Sequence, residues 1–211
     1  MNKKLLITDL DGTLTKESLV LNHAGYLIGK GIIKDNGSFQ AWKKDLKNEN
    51  LIIAVAENYR AEITGKKEFD LNCKDFVRSF FLDKEKWYPE TLKRLQKMER
   101  SQDTDIFLIT GSSDFLVKHL AYYLNVNYFA TEYLRENGCL NGKVNGMFSE
   151  TQKDDCVQWN ININEYDYIE AWGDTASDFG LFKHADYKIL VEPTKQTLET
   201  LIQKTKIDEI I

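Results

Sequence analysis

Two acidic residues placed directly after a short apolar run are the first chemistry this sequence offers. Asp9-Leu10-Asp11-Gly12-Thr13 follows Leu5-Leu6-Ile7, with Thr8 between them. The apolar run is short, aliphatic and partly β-branched, the pattern of a strand buried on both faces, so the carboxylates fall where strand gives way to loop. Asp9 and Asp11 are two apart, and in extended backbone their side chains point the same way, while Gly12 permits a turn that other residues resist. Such a turn suits phosphate handling with bound magnesium and a carboxylate nucleophile. The same five residues also read as an ordinary strand-to-turn sequence.

Three further places carry residues of suitable type. Ile106-Phe107-Leu108-Ile109 ends in Thr110-Gly111-Ser112-Ser113, a hydroxyl with backbone amides facing an anion, or simply a helix start. Tyr168-Ile169-Glu170-Ala171-Trp172 ends in Gly173-Asp174, with Asp178 four residues on, either functional carboxylates or a cap and a turn residue. Lys153 lies in a short helical stretch, either as an anion ligand or as a solvated lysine. Their order joins them: three strands each finish in polar residues, and a parallel sheet gathers such ends on one edge, where ligands bind.

The elements that must position these residues divide the chain. From about Thr15 to Asp83 no strand pattern occurs. Ile52, Val55, Ala56, Tyr59 and Ile63 recur at helical spacing, as do Cys73, Phe76, Val77 and Phe80, and helices are also expected over Leu19 to Ile28 and Phe39 to Leu46. Gly29-Lys30-Gly31, Asp35-Asn36-Gly37 and Gly65-Lys66-Lys67 are the loops between them. This is a small helical module inserted after the first strand, with residues 16–83 as its bounds and 1–15 plus 84–211 as the main domain. Beyond it, Pro89 starts a helix with Leu92, Leu95 and Met98 on one face, and Phe115 to Leu124 forms another. A third strand is expected at Tyr128-Phe129-Ala130. A hairpin follows over Glu132 to Phe148 with turns at Asn137-Gly138 and Asn141-Gly142, then a short helix capped by Thr151, a strand from Lys188 to Val191 and a helix from Gln196 to Gln203. Helices alternating with short apolar strands indicate an α/β domain with a mostly parallel sheet.

Composition bounds the function. The 211 residues suffice for one domain plus a small insertion, and a net charge of −5 argues against a nucleic-acid or anionic-membrane partner. Met1-Asn2-Lys3-Lys4 with Leu5-Leu6-Ile7 is too short for a signal peptide before Asp9 interrupts it, and no window approaches the roughly 18 apolar residues of a membrane span. Cys73, Cys139 and Cys156 are odd in number without C-x-x-C spacing, fitting reduced thiols in the cytoplasm, and His23, His119 and His184 lack metal-ligand spacing.

Taken in order, these motifs resemble those of the haloacid dehalogenase superfamily of phosphohydrolases, specifically its phosphoserine-phosphatase-like group. Asp9-Leu-Asp11-Gly-Thr13 resembles the first motif, Leu108-Ile-Thr110-Gly-Ser112 the second, Lys153 the third and Gly173-Asp174-Thr-Ala-Ser-Asp178 the fourth. Lys143 competes for the third position; Lys153 is preferred because the family places its lysine after a Gly-containing hairpin, at a helix start. The resemblance implies a Rossmann-like three-layer core around a mostly parallel sheet, with the helical module as a cap.

It also implies roles. Asp9 would attack phosphorus and become an aspartyl-phosphate, and Asp11 would be general acid and base. Mg²⁺ would be held by Asp9, the backbone carbonyl of Asp11 and Asp174, while Thr110, Gly111 and Lys153 bind the phosphoryl oxygens and Asp178 orients Lys153 or the metal's surroundings. Asp11 favours phosphoryl chemistry over dehalogenation. The cap would select a small phosphorylated metabolite. Phosphoserine phosphatases carry a glutamate nine residues after the nucleophile; here that position is Ser18, with Glu17 beside it. Arg60 and Arg78 are either candidates for a carboxylate or second phosphate on the substrate or residues of a solvated helix face. The expected activity is Mg²⁺-dependent phosphomonoester hydrolysis, the alternatives being a phosphotransferase or a phosphate-binding module without turnover.

Overall fold

The computed structural model describes residues 3–45, 49–101, 103–147 and 149–211. Its central strand is β1 (Lys4–Thr8), which lies between β2 (Thr104–Ser113) and β5 (Tyr168–Gly173) and runs parallel to both. Leu6 pairs with Ile106 on one side and Glu170 on the other. Beyond β2 lies β3 (Asn127–Glu136), and beyond β5 lie β6 (Tyr187–Leu190) and β7 (Glu209–Ile210), all parallel. The antiparallel β4 (Cys139–Asn145) completes the order β4-β3-β2-β1-β5-β6-β7. The chain builds outwards from β1 one way, then returns to build the other half, so the direction of connection reverses between β1 and β5. Open α/β sheets bind ligands at that place.

Side chains alternate across the sheet as a two-residue period requires. Leu5, Ile7 and Ile109 face a core shared with Val157 of α7 (Glu150–Asn160), Leu181 of α8 (Phe179–Phe182) and Leu201 of α9 (Lys195–Ile202). Leu6 and Leu108 face the other layer, with Leu95 of α5 (Pro89–Ser101) and Leu116 and Leu120 of α6 (Asp114–Leu124). That second core continues through Leu10 and Leu14 into four helices, α1 (Leu19–Gly29), α2 (Ser38–Trp42), α3 (Glu49–Ile63) and α4 (Cys73–Leu82). Each fully buried Leu or Ile contributes roughly 1.5–3 kcal/mol relative to exposure. One contiguous core therefore holds the helical unit on the sheet.

Inside that unit, His23 is fully buried, its Nδ1 2.8 Å from the Tyr59 hydroxyl and its Nε2 2.8 Å from the Leu71 carbonyl oxygen. Burial pushes its pKa down to about 4, so the ring is neutral; its hydrogen bonds tie α1 to α3 and to the turn before α4, and it packs on Phe76 of α4, as a structural residue. The unit joins the sheet domain through two adjacent crossings: Thr15 bridges Trp87, the Lys16 amide donates to the Lys86 carbonyl at 2.9 Å, and the Tyr88 amide to the Leu14 carbonyl at 3.0 Å.

The structure departs from the sequence expectations in several places. α2 ends at Trp42; Leu46, the expected end of that helix, lies outside the described residues, as do Phe148 at the end of the expected hairpin and Met1-Asn2. The third strand and the first arm of the hairpin are one strand: β3 pairs parallel with β2 through Ala130, then antiparallel with β4 from Glu132. Only Asn137-Gly138, with φ of 51° and 78°, makes the hairpin turn; Asn141-Gly142 lies within β4, where Gly142 packs against Thr64. Ser149, not Thr151, caps α7, forming a reciprocal pair with Gln152 that satisfies two helix-start amides. Cys73, Cys139 and Cys156 are free. No helix among the described residues is long and apolar enough to cross a membrane.

Candidate active site

The end of β1 is fixed by its neighbours before any side chain is considered. The Asp9 amide donates to the Trp172 carbonyl at 3.1 Å, and the chain then folds back so that the Leu14 and Thr15 amides both reach the Leu10 carbonyl at 2.9 Å. Gly12 has φ +90°, and a Cβ there would collide with the Asp174 carboxylate. The glycine is thus required twice, for the left-handed turn and for the close approach of Asp174. Thr13 Oγ1 donates to Asp174 Oδ1 at 3.1 Å, and Thr91 Oγ1 of α5 holds the Thr13 carbonyl at 3.0 Å.

Lys153 reaches the same place from α7. Gly180 of α8 sits so tightly on the α7 backbone at Glu150 and Asp154 that a Cβ has no room, which brings α7 down onto the loop after β5. Lys153 Nζ, buried, donates to Asp9 Oδ1 at 2.8 Å and to Asp178 Oδ1 at 2.6 Å. Asp178 Oδ2 accepts from the Asp174 amide at 3.0 Å, the Thr175 amide at 2.8 Å and the Thr175 hydroxyl at 3.0 Å. Lys143 is exposed on β4.

Carboxylate oxygens of Asp9, Asp174 and Asp178 lie within 4.8 Å of one another, and one ammonium cannot neutralise three such groups. Burial, with the Asp178 and Asp11 carboxylates, pushes Asp9 up to about 7 against the pull of Lys153. Burial, with Asp178 and Asp9, holds Asp174 well above the usual carboxylate range. For Lys153, burial favours the neutral amine, but Asp178 and Asp9 override it and keep the ammonium charged. Buried, oxygen-only donors with surplus negative charge match a hard divalent cation such as Mg²⁺. Both oxygens of Asp178 accept hydrogen bonds, as do Asp9 Oδ1 and Asp174 Oδ1.

The Asp11 carboxylate stands apart from that cluster. Its Oδ2 accepts from Ser112 Oγ at 2.6 Å and its Oδ1 from the Leu19 amide at 2.8 Å, at the start of α1. Burial raises its pKa, opposed by Ser112 and the Leu19 amide. Asp11 opens onto a cavity of about 500 Å³ between the sheet and the helical unit, lined also by Ser18, Gly111, Ser112, Ile52, Ala56 and Arg60. Thr110 is fully buried, its Oγ1 accepting from the Ser112 amide at 3.1 Å.

The expected substrate contacts fare differently from one another. Ser18 and Arg60 line the cavity, Ser18 while capping α1. Glu17 does not: its carboxylate is held by Lys86 Nζ and Asn22 Nδ2, both at 3.0 Å, and is spent on the crossing between helical unit and sheet. Arg78 is exposed on α4 and lines none of the cavity. Sequence reasoning missed the bond from Ser112 to Asp11, although Ser112 stood within the second motif. It also missed Tyr133 and Val144 as cavity lining, for which the only signal was their place on a hairpin facing the inserted helices.

A model of the haloacid dehalogenase-like hydrolases matches residues 6–183, from β1 to the end of α8. The chain belongs to the haloacid dehalogenase-like hydrolases. No curated protein matches it. Among solved structures, a Bordetella pertussis protein of unknown function aligns with TM-score 0.79 at 18% identity, over 100% of this chain and 99% of that one. Phosphoserine phosphatase in its apo form aligns at 0.66 and 17%, covering 99% and 93%. A phospho-aspartyl intermediate analogue of phosphoserine phosphatase aligns at 0.65 and 20%, covering 100% and 94%. These likenesses extend over the inserted helices as well as the sheet, and concern the fold.

Proposed function

We propose that the protein hydrolyses phosphomonoesters of small metabolites, with Mg²⁺, through an aspartyl-phosphate on Asp9. The observation that carries this reading is the division of labour between the two first-motif carboxylates: Asp9 is packed against Lys153 beside Asp174, whereas Asp11 is held apart by Ser112 and Leu19 at the cavity floor.

An Asp9 oxygen attacks phosphorus as the ester P–O bond breaks, and Asp11, whose raised pKa favours the protonated form, gives its proton to the departing alcohol. Water then attacks the phosphorus, Asp11 takes the water's proton, and Asp9 is released with inorganic phosphate. Lys153, the Thr110 hydroxyl and the Gly111 amide bind the phosphoryl oxygens, and Asp178 fixes the direction of Lys153. Asp9, Asp174 and the Asp11 carbonyl would hold Mg²⁺, which supplies neutralisation of phosphoryl charge. Residues 16–83 act as the cap: they exclude water and contact the leaving group.

The aligned structures include a phospho-aspartyl intermediate analogue and a substrate-bound complex of phosphoserine phosphatase, in keeping with this reading. The test is hydrolysis of an aryl phosphate with Mg²⁺ by wild type and Asp9→Asn. Activity in the wild type that falls at least a thousandfold in the variant is expected; equal rates refute the proposal.

A further inference from the structure

The cavity over Asp11 is apolar in a way the proposed chemistry does not require. Val20 and Leu21 of α1, Ile52 and Ala56 of α3, and Tyr133 and Val144 of the β3–β4 hairpin form its walls. Ile53, also lining it, is 56% exposed, so the apolar surface continues to the mouth. The polar groups at the floor are already joined to one another: Ser112 donates to Asp11, and Ser18 Oγ accepts from the Leu21 amide. Glu57 and Arg60, one helical turn apart on α3, are exposed and stand at the rim, where water solvates them.

A sugar or glycerol body would leave hydroxyls unpaired against the aliphatic part of the walls, and among the described lining residues the carboxylates a free ammonium could meet are Asp11 and the exposed Glu57. Each such hydroxyl loses its water without a replacement. A non-polar body loses nothing and gains from burial, and about 500 Å³ is the ordinary size of a small-molecule site.

We propose that the leaving group is an alcohol with a non-polar body, an alkyl, acyl-chain or aryl residue, seated between α1, α3 and the β3–β4 hairpin. This rests on the phosphomonoesterase reading above. It places selectivity in aliphatic contacts, so affinity rises with chain length rather than with hydrogen-bonding capacity.

The experiment measures kcat/KM for ethyl, butyl, hexyl and octyl phosphate beside phosphoserine, glycerol phosphate and glucose 6-phosphate, all with Mg²⁺. In parallel, the binding of ethyl- and hexylphosphonate is measured by calorimetry. Each methylene that enters the cavity should raise kcat/KM about threefold to fourfold, and hexylphosphonate should bind at least tenfold more tightly than ethylphosphonate. Ile53→Gln, at a position exposed enough to tolerate the change, should lower the hexyl-to-ethyl ratio severalfold. A flat alkyl series, or phosphoserine or a sugar phosphate as the best substrate, overturns the inference while leaving the phosphatase reading intact. Length-dependent phosphonate binding without turnover of any ester supports the cavity assignment and overturns the phosphatase reading. Neither turnover nor length-dependent binding overturns both.

Discussion

Replacing Asp9 by Asn removes one carboxylate from a buried cluster in which three carboxylates share one ammonium. In the metal-free protein Asp9 has a folded-state pKa of about 7 against an ordinary value of 3.8. A carboxyl raised in this way stabilises the fold fully when protonated, below the unfolded value, and that stability drains away as pH rises through the folded value. At about 1.4 kcal/mol per unit, the loss between pH 5 and pH 8 is roughly 2–3 kcal/mol. For a chain of this length that corresponds to a Tm difference of about 5–10 °C. The assay is thermal unfolding in EDTA at the two pH values for wild type and Asp9→Asn. His23 is common to both and cancels, whereas Asp174 and Lys153 lose Asp9 as a neighbour, so the difference reports the linked cluster. Wild type should lose roughly 2–3 kcal/mol more than the variant on going to pH 8, and saturating Mg²⁺ should recover most of that loss in wild type alone. An equal pH response in the two proteins, or a larger one in the variant, refutes the electrostatic account of the site.

Three other outcomes follow from the geometry. Gly12→Ala forces a methyl group into the Asp174 carboxylate at a left-handed backbone position, so activity and Mg²⁺-dependent stabilisation should both be lost, read by aryl phosphate hydrolysis and by melting with and without Mg²⁺. Ser112→Ala removes a charge-assisted bond of about 1.5–3 kcal/mol from Asp11; kcat should fall roughly tenfold to a hundredfold, and the limb of the pH–rate profile that reports Asp11 should move to higher pH, because Ser112 is a group that keeps its pKa down. His23 has a folded pKa of about 4 against an ordinary 6.5; its contribution to stability is complete above the unfolded value and lost as pH falls. It should cost the fold about 2 kcal/mol between pH 7 and pH 5, a loss absent in His23→Phe when the two are compared by urea unfolding.

The sheet was legible because its strands are short apolar runs ending in chemically distinctive residues: Asp9, Thr110 and Asp174 each follow such a run, and parallel pairing does the rest. The helices of the inserted unit were legible where apolar residues recur, as at Phe76, Val77 and Phe80. β7 has only two residues and carries no periodic signal; the bonds of Arg94 in α5 to Glu209, at 2.7 and 2.5 Å, help to place it. β3 was split in two because its pairing partner changes midway, an event that leaves no mark on the strand's own alternation. Glu17 was misjudged for a similar reason. Its position in the chain suited a ligand, but the competing partner, Lys86, arrives from the far end of the inserted unit. The cavity walls were the least legible feature, since α1, α3 and the β3–β4 hairpin meet only once packed.

The pairing of β1 also bears on how this polypeptide comes into being. Its two neighbours in the sheet are made long after it, Leu6 waiting first for Ile106 and then for Glu170. Until β5 has left the ribosome the central strand has at least one open edge, and Asp9 has no Asp174 beside it. Such distant pairings favour slow, late closure of the sheet. Truncation anywhere before Asp178 should therefore yield an aggregation-prone chain rather than a less active one.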